Sequence, residues 1–107
     1  MNGNLFNGLP SQLPAEIFDT LLDHGQLRIE RILSHGQTSP PDFWYDQPQH
    51  EWLILLQGAA RLRFADQSTQ DLHPGDYCLI PAHCRHRVDW TAQDTVTIWL
   101  AIHFTDS

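Results

Sequence analysis

The chain has 107 residues, 41% of them hydrophobic, enough to enclose one core and too few for two domains. Its formal charge is −7 and the six Lys and Arg residues are all arginine, a balance that repels a phosphate backbone and excludes nucleic acid as an expected partner. No apolar run approaches the roughly 20 residues that span a bilayer, and the opening MNGNLFNGLP lacks the basic flank and apolar centre of an export signal. A cytoplasmic protein with no membrane partner is the expectation.

Along residues 13–23, LPAEIFDTLLD, Ile17 and Leu21 recur at helical spacing, as do Phe18 and Leu22. Ser11 can cap such a helix, Pro14 falls in its first turn and Gly25 lies just past its end. The pattern predicts one short N-terminal helix, in a segment 1–25 that packs on the main domain, 26–107. From Gln26 to Leu33 the run LRIERIL alternates as a strand does, and Gly36, Pro40 and Pro41 break it. A loop then delivers Trp44 to Gln47. Further strands are predicted at 51–57, 60–64, 77–80, 86–90 and 96–104, with turns over 66–71, 73–76 and 91–94. Many short strands after one helix indicate an all-β antiparallel barrel or sandwich.

Face assignments follow from the two-residue period of a strand. Near the C-terminus Val96, Ile98, Leu100, Ile102 and Phe104 make a wholly apolar face, while Trp99, Ala101 and His103 make a mixed one. After Glu51, both Leu53/Leu55 and Trp52/Ile54/Leu56 are apolar, and a strand apolar on both faces is covered on both. The second cover is expected to be another sheet or another copy, which predicts a homodimer. Arg61 with Arg63, and Arg85 with Arg87, are read as outer-face residues bonded to aspartates. Cys78 and Cys84 are read as reduced thiols.

Two spacings carry more specific information. Gly75, Pro81 and His86 fit G-x5-P-x-G-x2-H-x3-N, with His83 at the second glycine place and Trp90 at the asparagine. Glu51 and Gly58 fit the second half of G-x5-H-x-H-x3 or x4-E-x6-G. On these residues the chain resembles the cupin superfamily over 26–104, and in particular a subgroup of small single-domain bacterial cupins that mostly lack an assigned activity. The resemblance implies an antiparallel β-barrel or jelly roll. The two histidine places of the first motif are filled instead by Tyr45 and Gln47, or by Trp44 and Asp46 in the longer spacing.

A divalent ion needs three or four nitrogen or oxygen ligands at about 2.0 to 2.6 Å. The resemblance implies such an ion (Fe, Mn, Ni or Zn), with His86, Glu51, Gln47 and His50 as candidate ligands in that order and Asp46 after them. Adjacent strand residues point to opposite faces, so His50 and Glu51 both coordinate only if the chain is irregular beside Pro48. Tyr45, His83 and Trp90 are the candidate substrate-binding residues. Three functions fit this constellation. One is a metal-dependent enzyme of dioxygenase, decarboxylase or isomerase type acting on a small organic molecule. Another is a metal-free small-molecule or carbohydrate-type binding module with Trp44, Tyr45, Trp90 and Trp99 as walls. The third is an interaction protein with a merely packed interior, in which Glu51 and His86 form a plain buried pair.

Overall fold

Eight strands make up the regular structure in the computed structural model, which describes residues 2–106. They are β1 (Ile17–His24), β2 (Leu27–Ser34), β3 (His50–Gln57), β4 (Ala60–Phe64), β5 (Thr69–Leu72), β6 (Tyr77–Ile80), β7 (His86–Thr91) and β8 (Thr97–Phe104). Every pairing is antiparallel. One sheet has the order β1-β2-β8-β3-β6 and the other β5-β4-β7. The pairing leaves two separate sheets, so the closed barrel is replaced by an open sandwich consistent with a jelly roll. Segment 39–47 extends the smaller sheet beside β7: Ser39 N donates to Val88 O at 2.9 Å and Tyr45 N to His86 O at 2.7 Å.

No helix occurs among the described residues. The segment expected to be helical enters β1, and a bulge explains the misleading spacing. Thr20 faces Glu30 and Leu22 faces Ile29, so Leu21 is an extra residue opposite nothing. The bulge moves Leu22 onto the face of Ile17, opposite to that of Phe18, and apolar residues at 17, 18, 21 and 22 mimic a helical repeat. β5 likewise occupies part of an expected turn. Of its four residues, TQDL, only Leu72 is buried, and pairing with β4 rather than any apolar alternation makes it a strand.

The core lies between the sheets. Leu53 and Leu55 of β3, Trp99 and Ala101 of β8 and Ile80 of β6 meet Ala60, Leu62 and Leu72 of the smaller sheet. A second cluster of Leu13, Leu33, Val96 and Ile98 is capped by Leu9 and Ile17 from the N-terminal segment. Arg31 ties that segment down, donating to the carbonyls of Leu5 and Asn7 and pairing with Asp19 at 2.7 Å. The two cysteines are free.

Candidate ligand site

At one end of the sandwich the apolar filling gives way to a cavity of about 310 Å3. Its position follows from register. In β3 Glu51 shares the inner face with Leu53 and stands opposite His103 of β8 and Ile80 of β6. In β2 the inner face carries Arg28, Glu30 and Ile32, with Arg28 opposite His103 and Glu30 opposite Ala101. From the facing sheet comes His86, paired with Phe64 of β4. Alternation beyond β7 turns Tyr45 and Gln47 inward, and both line the cavity.

Two carboxylate–imidazole pairs are buried here. His103 Nε2 donates to Glu30 Oε1 at 2.8 Å, with both residues buried. This bond, helped by the nearby His103 and Arg28 charges and opposed by burial, holds the Glu30 carboxyl below the ordinary carboxylate range. In the second pair His86 Nε2 lies 3.7 Å from Glu51 Oε1, beyond hydrogen-bond reach. His86 Nδ1 is 2.9 Å from Cys84 O, and since a carbonyl only accepts, Nδ1 carries a hydrogen and Nε2 is the ring atom turned toward Glu51. Burial raises the Glu51 pKa and repulsion from Glu30 adds to this, against the pull of His103 and His86 and a hydrogen bond from the Gln47 side chain. The Tyr45 ring stacks on His86 with centroids 5.3 Å apart. Burial first, then the charges of Glu16, Glu51 and Glu30, push its phenol up.

The raised Glu51 value has a consequence for stability. A carboxyl whose folded pKa exceeds its unfolded one destabilises the fold when ionised, and that cost fades as pH falls through the folded value. Glu51→Gln is therefore expected to raise the melting temperature at pH 8 by several degrees, for about 1 kcal/mol of relieved desolvation, and to change it little at pH 4. Paired melting curves at the two pH values check this; a destabilised variant at pH 8 contradicts it.

Of the residues singled out in the sequence, Glu51, His86, Gln47, Tyr45 and Trp99 line the cavity, and His50, His83, Asp46, Trp44 and Trp90 do not. His50 points to the opposite face, where its Nδ1 accepts from Ala82 N at 2.9 Å and its Nε2 lies 3.0 Å from Asp106. His83 and Asp46 pair with each other at 2.7 Å on the exposed outside of the rim. Trp90 is 43% exposed on the outer face. Strict alternation from His86 would have aimed it inward opposite Ala60, but Leu62 faces Val88 and Arg61 faces Trp90, which makes Asp89 a bulge. Arg63 holds that bulge through a 2.8 Å bond to Asp89, and Thr91 takes the inner position instead. Glu16, Arg28, Glu30 and His103 line the cavity without having been read as site residues. The available signal was period two: Arg28 and Glu30 on one face of an otherwise apolar strand, and His103 in step with Trp99 and Ala101.

The donors present do not fit a resident divalent ion. Glu51 and His86 supply one oxygen and one nitrogen, and His103 is engaged by Glu30 through Nε2. Among the described residues no three His, Cys, Asp or Glu side chains converge as ligands. Three or four are needed.

Two facing antiparallel sheets enclosing a cavity with charged groups at one end define a β-sandwich of jelly-roll type. The family model of the cupin domain matches residues 30–103, and the chain belongs to the cupin family. A crystal structure from Ralstonia eutropha JMP134, of a protein provisionally described as a mannose-6-phosphate isomerase, superposes with a TM-score of 0.95 at 48% identity, covering 99% of each chain. A cupin superfamily protein of Desulfitobacterium hafniense gives 0.75 at 20% identity over 92% of this chain and 84% of that one. A Klebsiella pneumoniae protein with a double-stranded β-helix domain gives 0.79 at 12% identity over 96% and 88%. The last two share the fold alone. No curated protein matches the sequence. Among the described residues no helix is long and apolar enough to cross a membrane.

Proposed function

We propose that this cupin binds a small organic molecule in the cavity, and that the Glu51–His86 and Glu30–His103 pairs contact it and exchange protons with it. The observation that carries this reading is the burial of four titratable side chains around one space of about 310 Å3, near the lower limit of ordinary small-molecule pockets. Glu51, raised by burial, is suited to give a proton, whereas Glu30, held ionised by His103, is a weakened base suited to hold negative charge against a ligand. The description of the 48% identical Ralstonia protein as an isomerase of a small metabolite supports a small organic ligand. No step is assigned to a metal, because the donor set falls short of one.

A thermal-shift screen of a metabolite library tests the proposal. At least one member is expected to raise the melting temperature of the wild type and leave His86→Ala unmoved. A library without effect on the wild type rejects it. Protein purified without chelator is expected to carry metal well below one equivalent. Stoichiometric metal, lost in both Glu51→Ala and His86→Ala, would replace this reading with the metal-dependent one.

We also propose that a second copy covers the outer face of the five-stranded sheet. Register aligns Leu22, Ile29, Ile102, Trp52 and Leu79 in one apolar row across all five strands. Leu79 is 56% and neighbouring Tyr77 64% exposed, a continuous patch of the kind that marks an interface. Light scattering is expected to give twice the monomer mass for the wild type and the monomer mass for Trp52→Arg. A monomeric wild type at micromolar concentration overturns this proposal.

A further inference from the structure

The charge lining the cavity is lopsided. Glu16, Glu30 and Glu51 face it, with the imidazoles of His86 and His103 beside them, against one permanent cation, Arg28, whose Nε already lies 3.8 Å from Glu30 Oε2. The protein's own groups fix the carboxylates in place. Trp99 Nε1 donates to Ser34 Oγ at 3.1 Å, and Ser34 Oγ donates to Glu16 Oε2 at 2.6 Å. His103 fixes Glu30. All three carboxylates line the same cavity as the Tyr45 phenol. His103, with only 4% of its side chain exposed, leaves Nδ1 without a partner. The remaining walls are apolar or aromatic, with Phe18, Ile32, Leu62 and Trp99 among them.

Each ligand class meets this lining differently. A phosphate or carboxylate would bring like charge and more acceptors to a place already rich in both, with one partnered cation to offset them. A neutral hydroxyl would find acceptors but would leave the carboxylates uncompensated. A protonated amine donates three hydrogen bonds, neutralises buried carboxylate charge and can rest against aromatic faces.

We infer that the cavity takes a compact organic cation, a protonated amine on an apolar or aromatic body, with its nitrogen between Glu16, Glu30 and Glu51. This rests on the reading of the cavity as a ligand site and narrows it. It also separates the chain from a sugar-phosphate ligand of the kind named for its Ralstonia relative.

Benzylamine, benzyl alcohol and benzoate share one ring and differ in charge, and mannose 6-phosphate supplies the phosphorylated alternative. Titrations of the full chain, followed by the NMR signals of the Trp99 indole and the His86 ring, are expected to show benzylamine binding about tenfold or more tighter than benzyl alcohol. Benzoate and mannose 6-phosphate are expected to give no saturable shift. In Glu16→Gln, where the amide oxygen can still accept from Ser34, the advantage of the amine over the alcohol is expected to shrink several-fold. Equal affinity for amine and alcohol overturns the cation inference and leaves the cavity reading standing. Benzoate or mannose 6-phosphate binding as tightly as the amine overturns it also, as does an unchanged advantage in Glu16→Gln. If none of the four saturates, the cation inference fails, and the metabolite-library screen decides the cavity reading.

Discussion

Gly58→Ala is expected to cost roughly 3–5 kcal/mol, a large share of the stability of a domain of this size. Gly58 has φ +88, and a Cβ there would fall on Thr97 Oγ1 and lie 2.8 Å from the Thr97 Cα and Cβ. Neither side can yield cheaply. Thr97 is fully buried and opens β8, paired with Ser34 of β2, while Gly58 follows the irregularity that ends β3 between Leu55 and Gln57. The alanine therefore combines left-handed backbone strain with a clash against backbone atoms. Gly75 is the control, because its φ is +94 but nothing lies within 4 Å of its would-be Cβ. Gly75→Ala should show the strain alone, about 1–2 kcal/mol. Urea midpoints of the two variants decide the matter; a loss at Gly58 no larger than at Gly75 sinks the clash argument.

His103→Ala is expected to cost about 3–5 kcal/mol near neutral pH, since it leaves Glu30 as a buried carboxylate stripped of its hydrogen-bond partner. Glu30 sits below its ordinary pKa of 4.5, with the His103 hydrogen bond as the largest cause. A depressed carboxyl contributes stability that is present above its unfolded value and lost as pH falls through its folded one. The gap between wild type and His103→Ala should thus be full above pH 4.5 and narrow steadily below it. The double variant Glu30→Gln with His103→Leu should lose less than His103→Ala alone, because no charge is left stranded. A gap that does not change with pH, measured from denaturation curves across the acid range, would show that the pair acts only by packing.

The parts of this fold that depend on local backbone demands were readable in the residues. Gly58, Gly75 and Pro81 mark places where the chain must turn, and the strands predicted at 51–57, 60–64 and 77–80 stand in the structure within one residue. The motif's second glycine place is instructive for the same reason. His83 there has φ +61, so the backbone keeps the conformation that glycine favours even though a histidine occupies it. Glu51 and His86 meet because both sit beside such markers, at the start of a strand whose register is pinned by buried leucines.

What pairing between distant strands decided could not be read one segment at a time. Glu30 and His103 lie 73 residues apart and touch only because β2 and β8 are neighbours in register. Two single-residue bulges did the rest. Leu21 made a strand look helical, and Asp89 turned Trp90 to the outer face and Thr91 to the inner one. A bulge reverses every later side chain, yet its cause is a partner strand and, at Asp89, an arginine 26 residues earlier in the chain. By itself the sequence determined a mainly β chain and its turns, because these rest on short-range geometry, and the motif resemblance brought Glu51 and His86 together. Only the tertiary structure decided the second buried pair, the acidic lining and which aromatic rings face the cavity, because each depends on register between strands far apart in the chain.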